Sequence, residues 1–159
     1  MKRRPLVYIA GPYRASTERE VVLNIRRAEE AAIEVWKAGG VAICPHLNTA
    51  LFGGVLPDET WLSGDIEILR RCDAILMVGK WQDSKGARDE LLFACDQGIR
   101  WEEFEYLISR ARLATWIAAR ADRWAANHPE IPDSSSLTSS PTPTAHSLKD
   151  VFITEGRGE

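Results

Sequence analysis

Five apolar residues in a row, Leu6-Val7-Tyr8-Ile9-Ala10, follow a basic start and stop at Gly11-Pro12. A strand covered on both faces has no need to alternate, so the run predicts a buried first strand. Pro12, which has no N–H to give a ladder, ends it. From about Thr17 to Lys37, Val21, Val22, Ile25, Ala28, Ala32, Val35 and Trp36 recur at helical spacing. Gly39-Gly40 closes that helix by tolerating a left-handed C-terminal turn. Val41-Ala42-Ile43-Cys44, stopped by Pro45, predicts a second strand. Strand, helix and strand within so short a span are the pattern of a right-handed parallel crossover. A glycine-bearing loop over 48–58 leads into a helix that Asp58 can cap, running to about Arg71 with Leu62, Ile66 and Leu69 inward. Ala74-Ile75-Leu76-Met77-Val78 is the third buried strand. A polar loop from Gly79 to Gly86 then opens a helix from about Ala87 to Gln97, with Leu91, Leu92, Ala94 and Cys95 facing inward. The alternation predicts an α/β fold: a Rossmann-like (flavodoxin-like) three-layer parallel sheet.

Beyond Gly98 the pattern changes. Trp101, Phe104, Leu107, Ile108, Ala111, Ile117, Ala121 and Trp124 keep a helical period almost to Asn127, which adds a long C-terminal helix. In this reading the helix begins near Arg100-Trp101-Glu102-Glu103, where no strand is evident. Its apolar stripe either packs over the sheet or forms a homodimer interface. Residues 132–147 are rich in Pro, Ser and Thr and predict a flexible linker. Val151-Phe152-Ile153-Thr154 is either a returning edge strand or simply tail. The expected division is an α/β core over 1–99, a helical extension over 100–128 and a tail over 129–159.

Composition narrows the classes. The length of 159 residues suits one domain. With 20 Lys and Arg against 23 Asp and Glu, the net charge of −3 gives no electrostatic case for binding long nucleic acid. The apolar runs are too short to cross a bilayer, and no signal-peptide core follows Arg4, so no membrane partner is expected. Three cysteines (Cys44, Cys72 and Cys95) are an odd number without metal-ligand spacing. They read as buried thiols of a reducing cytoplasm, which makes the expected localisation cytoplasmic.

In an open parallel sheet, ligands lie beyond the carboxyl ends of the strands. Three segments fall there: Gly11-Pro12-Tyr13-Arg14, Pro45-His46-Leu47-Asn48-Thr49, and Gly79 to Glu90. Gly11 allows close backbone approach, and Arg14 supplies a cation. Ser84 and Gly86 stand just before a helix, whose free N–H groups and dipole favour an anion. A phosphate suits this end, although no Walker lysine and no GxGxxG is present. Each residue also has an ordinary reading. Glu90 complements a helix dipole, Asp65 lies on a solvated face, and Asp73 hydrogen-bonds at a strand entrance. Tyr8 is core, His46 packs a loop, and Ser84 is a helix-entry residue.

Taken together, these residues resemble a known group. Tyr8-Ile9-Ala10-Gly11-Pro12-Tyr13-Arg14, Gly64-Asp65 with Arg71-Cys72-Asp73, and Ser84-Lys85-Gly86-Ala87-Arg88-Asp89-Glu90 with Ala94 are similar to the nucleoside 2-deoxyribosyltransferase superfamily. Short phage and bacterial members with an uncharacterised-domain label share the Pro45-to-Thr49 stretch. The resemblance covers about residues 5 to 99. It implies cleavage of the N-glycosidic bond of a (deoxy)nucleoside or nucleotide without metal or cofactor, through an oxocarbenium-like transition state and a glycosyl-enzyme intermediate. By the same resemblance Glu90 is the nucleophile, Asp65 the acid that assists the leaving base or binds the sugar, and Tyr8 the group that positions the nucleophile. The transferases carry an aspartate where this chain has Ser84; the 2′-deoxynucleoside 5′-phosphate N-hydrolases have serine there. Their phosphate loop is similar to Gly11–Ser16, with Arg14 matching its arginine. A serine beside helix N–H groups tolerates a phosphate that a carboxylate would repel, so the implied substrate is a 5′-monophosphate.

The chain also departs from that pattern: Pro12, Tyr13, Ala15 and Ser16 differ from the hydrolase loop, and Arg88 and Asp89 differ beside the nucleophile. The expected small-molecule partner is therefore a nucleoside or nucleotide, with Gly11, Pro12, Arg14, His46, Ser84 and Gly86 lining its site. The expected assembly is a homodimer or higher homo-oligomer. A base-exchanging transferase and a non-catalytic nucleotide-sensing module are the alternative functions.

Overall fold

Four short strands lie side by side and all run the same way. In this computed structural model, which describes residues 3–104 and 110–127, they are β1 (Leu6–Ala10), β2 (Val41–Ile43), β3 (Ala74–Met77) and β4 (Arg100–Glu103), in the spatial order β2-β1-β3-β4. β1 is central. Tyr8 stands opposite Ile43 on one side and Ile75 on the other, while Trp101 of β4 stands opposite Ile75. The predicted α/β parallel sheet is the observed architecture.

The connections explain that order. α1 (Glu18–Lys37) crosses from β1 to β2. Its start is fixed by a reciprocal cap: Thr17 Oγ1 accepts from Glu20 N–H at 3.2 Å, and the Glu20 carboxylate accepts from Thr17 N–H at 3.2 Å. Gly39, at φ +93°, turns the chain out of α1. A Cβ at the next residue, Gly40, would sit 2.8 Å from Val35 Cγ1 and 3.3 Å from Ile117 Cδ1, so this glycine lets the helix end, β2 and the C-terminal helix close together. Asp73 anchors the entrance of β1: its carboxylate accepts from Leu6 N–H at 2.7 Å and pairs with Arg3 at 2.8 Å.

After β2 comes a one-turn helix, α2 (Pro45–Asn48), then α3 (Asp58–Leu69), α4 (Lys85–Asp96) and α5 (Arg110–Asn127). Alternate side chains of the strands feed two cores. Val7, Ile9, Ala74, Leu76 and Val78 pack with Ala28, Ala31 and Val35 of α1 and with Leu113 and Ile117 of α5. Tyr8, Ala10, Ile75 and Met77 pack on the other side with Leu69 of α3 and Ala87 and Ala94 of α4. The result is three layers. No helix among the described residues is long and apolar enough to cross a membrane.

Several expectations change. Arg100–Glu103 forms β4, not the beginning of a helix. Its polar edge-strand sequence lacks a buried run, and pairing with β3 overrides local preference. The long helix accordingly starts at Arg110, and its buried Leu113 and Ile117 lie over the sheet. β4 carries the sheet beyond residue 99. Pro57 occupies the cap position of α3 and Asp58 is its first residue, so Asp58 does not cap it. Pro45 opens α2, where a loop was expected. Leu62, Leu92, Val22 and Trp36 are exposed, and Cys95 is exposed while Cys44 and Cys72 are buried. Adjacent apolar positions on a helix diverge by about 100°, so Leu91 and Leu92 do not both face one core. The predicted linker over 132–147 and the Val151–Thr154 segment lie outside the described residues.

Candidate active site

The carboxyl ends of β1 and β3 bring chemistry to the second of the two cores. Tyr8 is fully buried, because its place in the central strand surrounds the ring on all sides. Its hydroxyl emerges toward α4 and donates to Glu90 Oε1 at 2.6 Å. Glu90 is half-buried, in the second turn of α4. Ser84 sets where that helix begins, its Oγ accepting from Ala87 N–H at 3.3 Å. The register of α4 therefore aims Glu90 at Tyr8.

Asp65 comes from α3 and is half-buried. It is close enough that its charge acts on both Tyr8 and Glu90. Burial pushes the Asp65 carboxyl up to about 6. Burial is also the main cause that raises Glu90 to about 7; Asp65 and Asp89 add to it, and the hydrogen bond from Tyr8 opposes it. Tyr8 is held well above its ordinary value, by burial first and then by the Glu90 and Asp65 carboxylates. The phenol therefore stays a proton donor. Two carboxyls that titrate near neutrality around one fixed phenol can exchange a proton with a substrate at the pH where most enzymes work.

Around this centre lies a second tier. Gly11 is tightly packed: a Cβ there would stand 2.6 Å from Val78 Cγ2 and 2.8 Å from the Val78 carbonyl oxygen. The absent side chain lets the turn after β1 lie against the end of β3. The Pro12 carbonyl accepts from His46 Nε2 at 3.0 Å. His46 is buried, and burial lowers its pKa against the opposing pull of the Pro12 and Gly11 backbone. Burial thus favours its neutral form, and the ring supports the loop from behind. Tyr13 meets the His46 ring edge-on at 5.8 Å, and its hydroxyl accepts from Leu51 N–H at 3.2 Å. Leu51 has a left-handed backbone, φ 65°, so the loop after α2 is held in a strained turn against Tyr13. Arg14 pairs with Asp58, and both are exposed. Gly86 lies in the first turn of α4, where the nearest atom to an added Cβ would be Leu62 Cδ2 at 4.0 Å.

The structure thus brings Tyr8, Asp65 and Glu90 together, with the Gly11–Arg14 turn and the Ser84–Gly86 helix start belonging to the same end of the sheet. His46 faces the loop backbone. Sequence reading missed three neighbours of these residues: Asp58 as the partner of Arg14, the Tyr13 hydroxyl as the tether of Leu51, and Trp61 one turn before Asp65. Trp61 carried a signal, since it precedes Asp65 by four residues and so shares its helix face. Asp58 and Tyr13 carried none, because their partners lie far away along the chain. Among the described residues no cluster of three or more His, Cys, Asp or Glu could hold a metal ion.

Comparison with known proteins adds the following. A solved structure of a 2-deoxyribosyltransferase from the psychrotolerant bacterium Bacillus psychrosaccharolyticus is similar at 20% identity and a TM-score of 0.48, over 62% of this chain and 71% of that one. No curated protein matches. Residues 5–101, well over half of the chain, match a family profile. The chain belongs to the family described as Domain of unknown function (DUF4406).

Proposed function

We propose that this protein cleaves the N-glycosidic bond of a (deoxy)nucleoside 5′-monophosphate and passes the sugar to water. The observation that carries the reading is the 2.6 Å hydrogen bond from a buried phenol to a carboxylate whose pKa is raised to about 7, beside a second raised carboxyl. A Coulombic role alone needs no such trio. Covalent catalysis at an anomeric carbon needs a nucleophile, a group that orients it and an acid for the leaving base.

In the first step Glu90 attacks C1′ as a carboxylate, oriented by the Tyr8 hydroxyl. The C1′–N bond breaks, its electron pair stays on the base nitrogen, and protonated Asp65 supplies the proton. The sugar is left as an ester of Glu90. In the second step Asp65, now ionised, takes a proton from water as that water attacks C1′ and releases Glu90. Base and sugar 5-phosphate leave, and both carboxyls return to their starting states. Tyr8 stays protonated throughout because burial and the neighbouring acids disfavour phenolate.

The phosphate is assigned to the span between Arg14 and the start of α4. Arg14 offers a fork of donors, Ser84 brings no charge, and the helix end attracts an anion. Gly11 keeps that turn close to β3, and His46 braces its Pro12 carbonyl.

The test is a panel of nucleosides and their 5′-monophosphates incubated with the protein, read by chromatography of liberated base, with and without a second free base. Free base from monophosphates with no new nucleotide supports hydrolysis. A new nucleotide assigns the protein to base exchange instead. Binding without any turnover assigns it to nucleotide sensing.

A further inference from the structure

Beyond the three central residues, the most unusual surface is the connection between α2 and α3. Residues 51–60 are all exposed, yet they include Leu51, Phe52, Val55 and Leu56. One end of this segment is tied to the site's first loop by the Leu51 N–H to Tyr13 hydroxyl bond. The other runs into α3. There Phe52 meets Trp61 edge-on, with ring centroids 5.7 Å apart. Trp61 lies one turn before Asp65 on the same face of α3. Its indole Nε1 is buried and has no hydrogen-bond partner among the described residues. An indole N–H out of contact with water and without an acceptor is costly, and buried tryptophans ordinarily find one.

We infer that Trp61 and Phe52 form the nucleobase subsite, with the Trp61 indole N–H donating to a ring nitrogen or carbonyl oxygen of the base. This rests on the proposed glycosidic-bond cleavage and names which part of the substrate these residues read. Three features converge on it. Trp61 lies one turn before Asp65, the acid assigned to the leaving base, so a base held by this indole has its nitrogen near the proton it needs. Phe52 is exposed and meets Trp61 only edge-on, which leaves ring faces of the pair for a flat heteroaromatic ring to stack on. The buried donor then gains the acceptor it lacks. A subsite made for phosphate or sugar needs no aromatic pair; one made for a purine or pyrimidine does.

The test is the substitution Trp61→Phe, which keeps an aromatic ring and removes the N–H, with Phe52→Ala as a second variant. The probes are the 5′-monophosphates of deoxyadenosine, deoxyguanosine, deoxycytidine and thymidine, with deoxyribose 5-phosphate as the baseless control. For Trp61→Phe we expect KM to rise about tenfold for the bases that present an acceptor to the indole and less for the others. Inhibition by deoxyribose 5-phosphate should stay unchanged, and the thermal midpoint should not fall, since the variant removes an unpaired buried donor. Phe52→Ala should alter KM for all four bases without altering the control. A change within twofold for every base, or an equal loss for the baseless control, overturns the inference. If the parent protein turns none of these over, calorimetric binding of the same five compounds decides. Base-bearing ligands weakened by Trp61→Phe uphold the subsite while the hydrolytic reading falls, and absence of binding overturns the subsite too.

Discussion

The two faces of one sheet have been put to different uses. On the side of α1 and α5, the strands present Val7, Ile9, Ala74, Leu76 and Val78 to alanines and aliphatic side chains. On the side of α3 and α4, alternate residues of the same strands present Tyr8, Ala10, Ile75 and Met77, and the layer ends in Glu90 and Asp65. One residue of register separates Tyr8 from Ile9, and that step divides a purely aliphatic contact from a phenol bonded to a carboxylate. The comparison shows why the acids can be held half-buried at all. The aliphatic layer supplies the burial that stabilises the fold, so the opposite layer can carry carboxyls whose burial raises their pKa and costs stability.

The sharpest way to break that contrast is Glu90→Gln. Turnover should fall by at least about a thousandfold, since an amide cannot serve as the nucleophile, while the fold remains. The variant should also change how stability responds to pH. Between the ordinary value of 4.5 and about 7, folded Glu90 holds a proton that the unfolded chain has released. Glu90 therefore costs stability progressively as pH rises through that window. Thermal midpoints of the parent protein should drop more between pH 5 and pH 8 than those of Glu90→Gln. Equal slopes would mean that the carboxyl is not perturbed.

The opposite face should behave in reverse. Leu76→Ala removes a fully buried side chain from the aliphatic layer. It should lower stability by about 2–5 kcal/mol and leave the activity per folded molecule near that of the parent. Urea titration gives the first quantity, and turnover at a temperature where both proteins are folded gives the second. A loss of activity greater than the loss of folded protein would show that the two layers are mechanically coupled.

The next effect is graded. The proposed first step needs Glu90 ionised and Asp65 protonated, and burial raises both, to about 7 and about 6. Because they interact, their apparent values belong to the pair. The rate should peak between about pH 6 and 7. The reactive arrangement is the less populated singly protonated form of the pair, since Glu90 holds a proton more tightly than Asp65; the rate should fall about tenfold per unit below the peak, as the pair gains a second proton, and above it, as the pair loses its last one. A profile that is flat from 5 to 8 would contradict the assignment of these two groups to acid and nucleophile.

How much of this could be read beforehand follows the same division. β1, β3 and α1 were legible because a continuous apolar run and a 3.6-residue period report burial directly. Glu90, Asp65 and Tyr8 were singled out as a group only by the family resemblance that the ordered set Tyr8, Gly11-Pro12, Asp65 and Ser84-x-Gly86-x-x-x-Glu90 carries. No local property of any one of them distinguishes it from a dipole-complementing acid or a core tyrosine. β4 was not legible, since Arg100-Trp101-Glu102-Glu103 has two acids and becomes a strand only by pairing with β3. The loop contacts were hidden for a related reason. Tyr13 with Leu51 and Arg14 with Asp58 join residues 38 and 44 positions apart, and such pairs leave no periodic trace.

The Arg14–Asp58 pair offers the finest adjustment. Both side chains are exposed, and an ion pair of that kind contributes about 0–1 kcal/mol in water. Asp58 is therefore a weak competitor for the cation that the proposed mechanism gives to the substrate phosphate. Asp58→Asn removes the competing charge, keeps the side chain's size and leaves Pro57 in the cap position of α3. If Arg14 meets the phosphate, KM for a 5′-monophosphate should fall about two- to fivefold, while KM for the unphosphorylated nucleoside and kcat for both stay constant. The difference should shrink as salt is raised, because the freed charge is screened. Should the nucleoside improve as much as its monophosphate, Asp58 would instead be shaping the α3 end of the site, and the phosphate would have to be placed at the start of α4 alone.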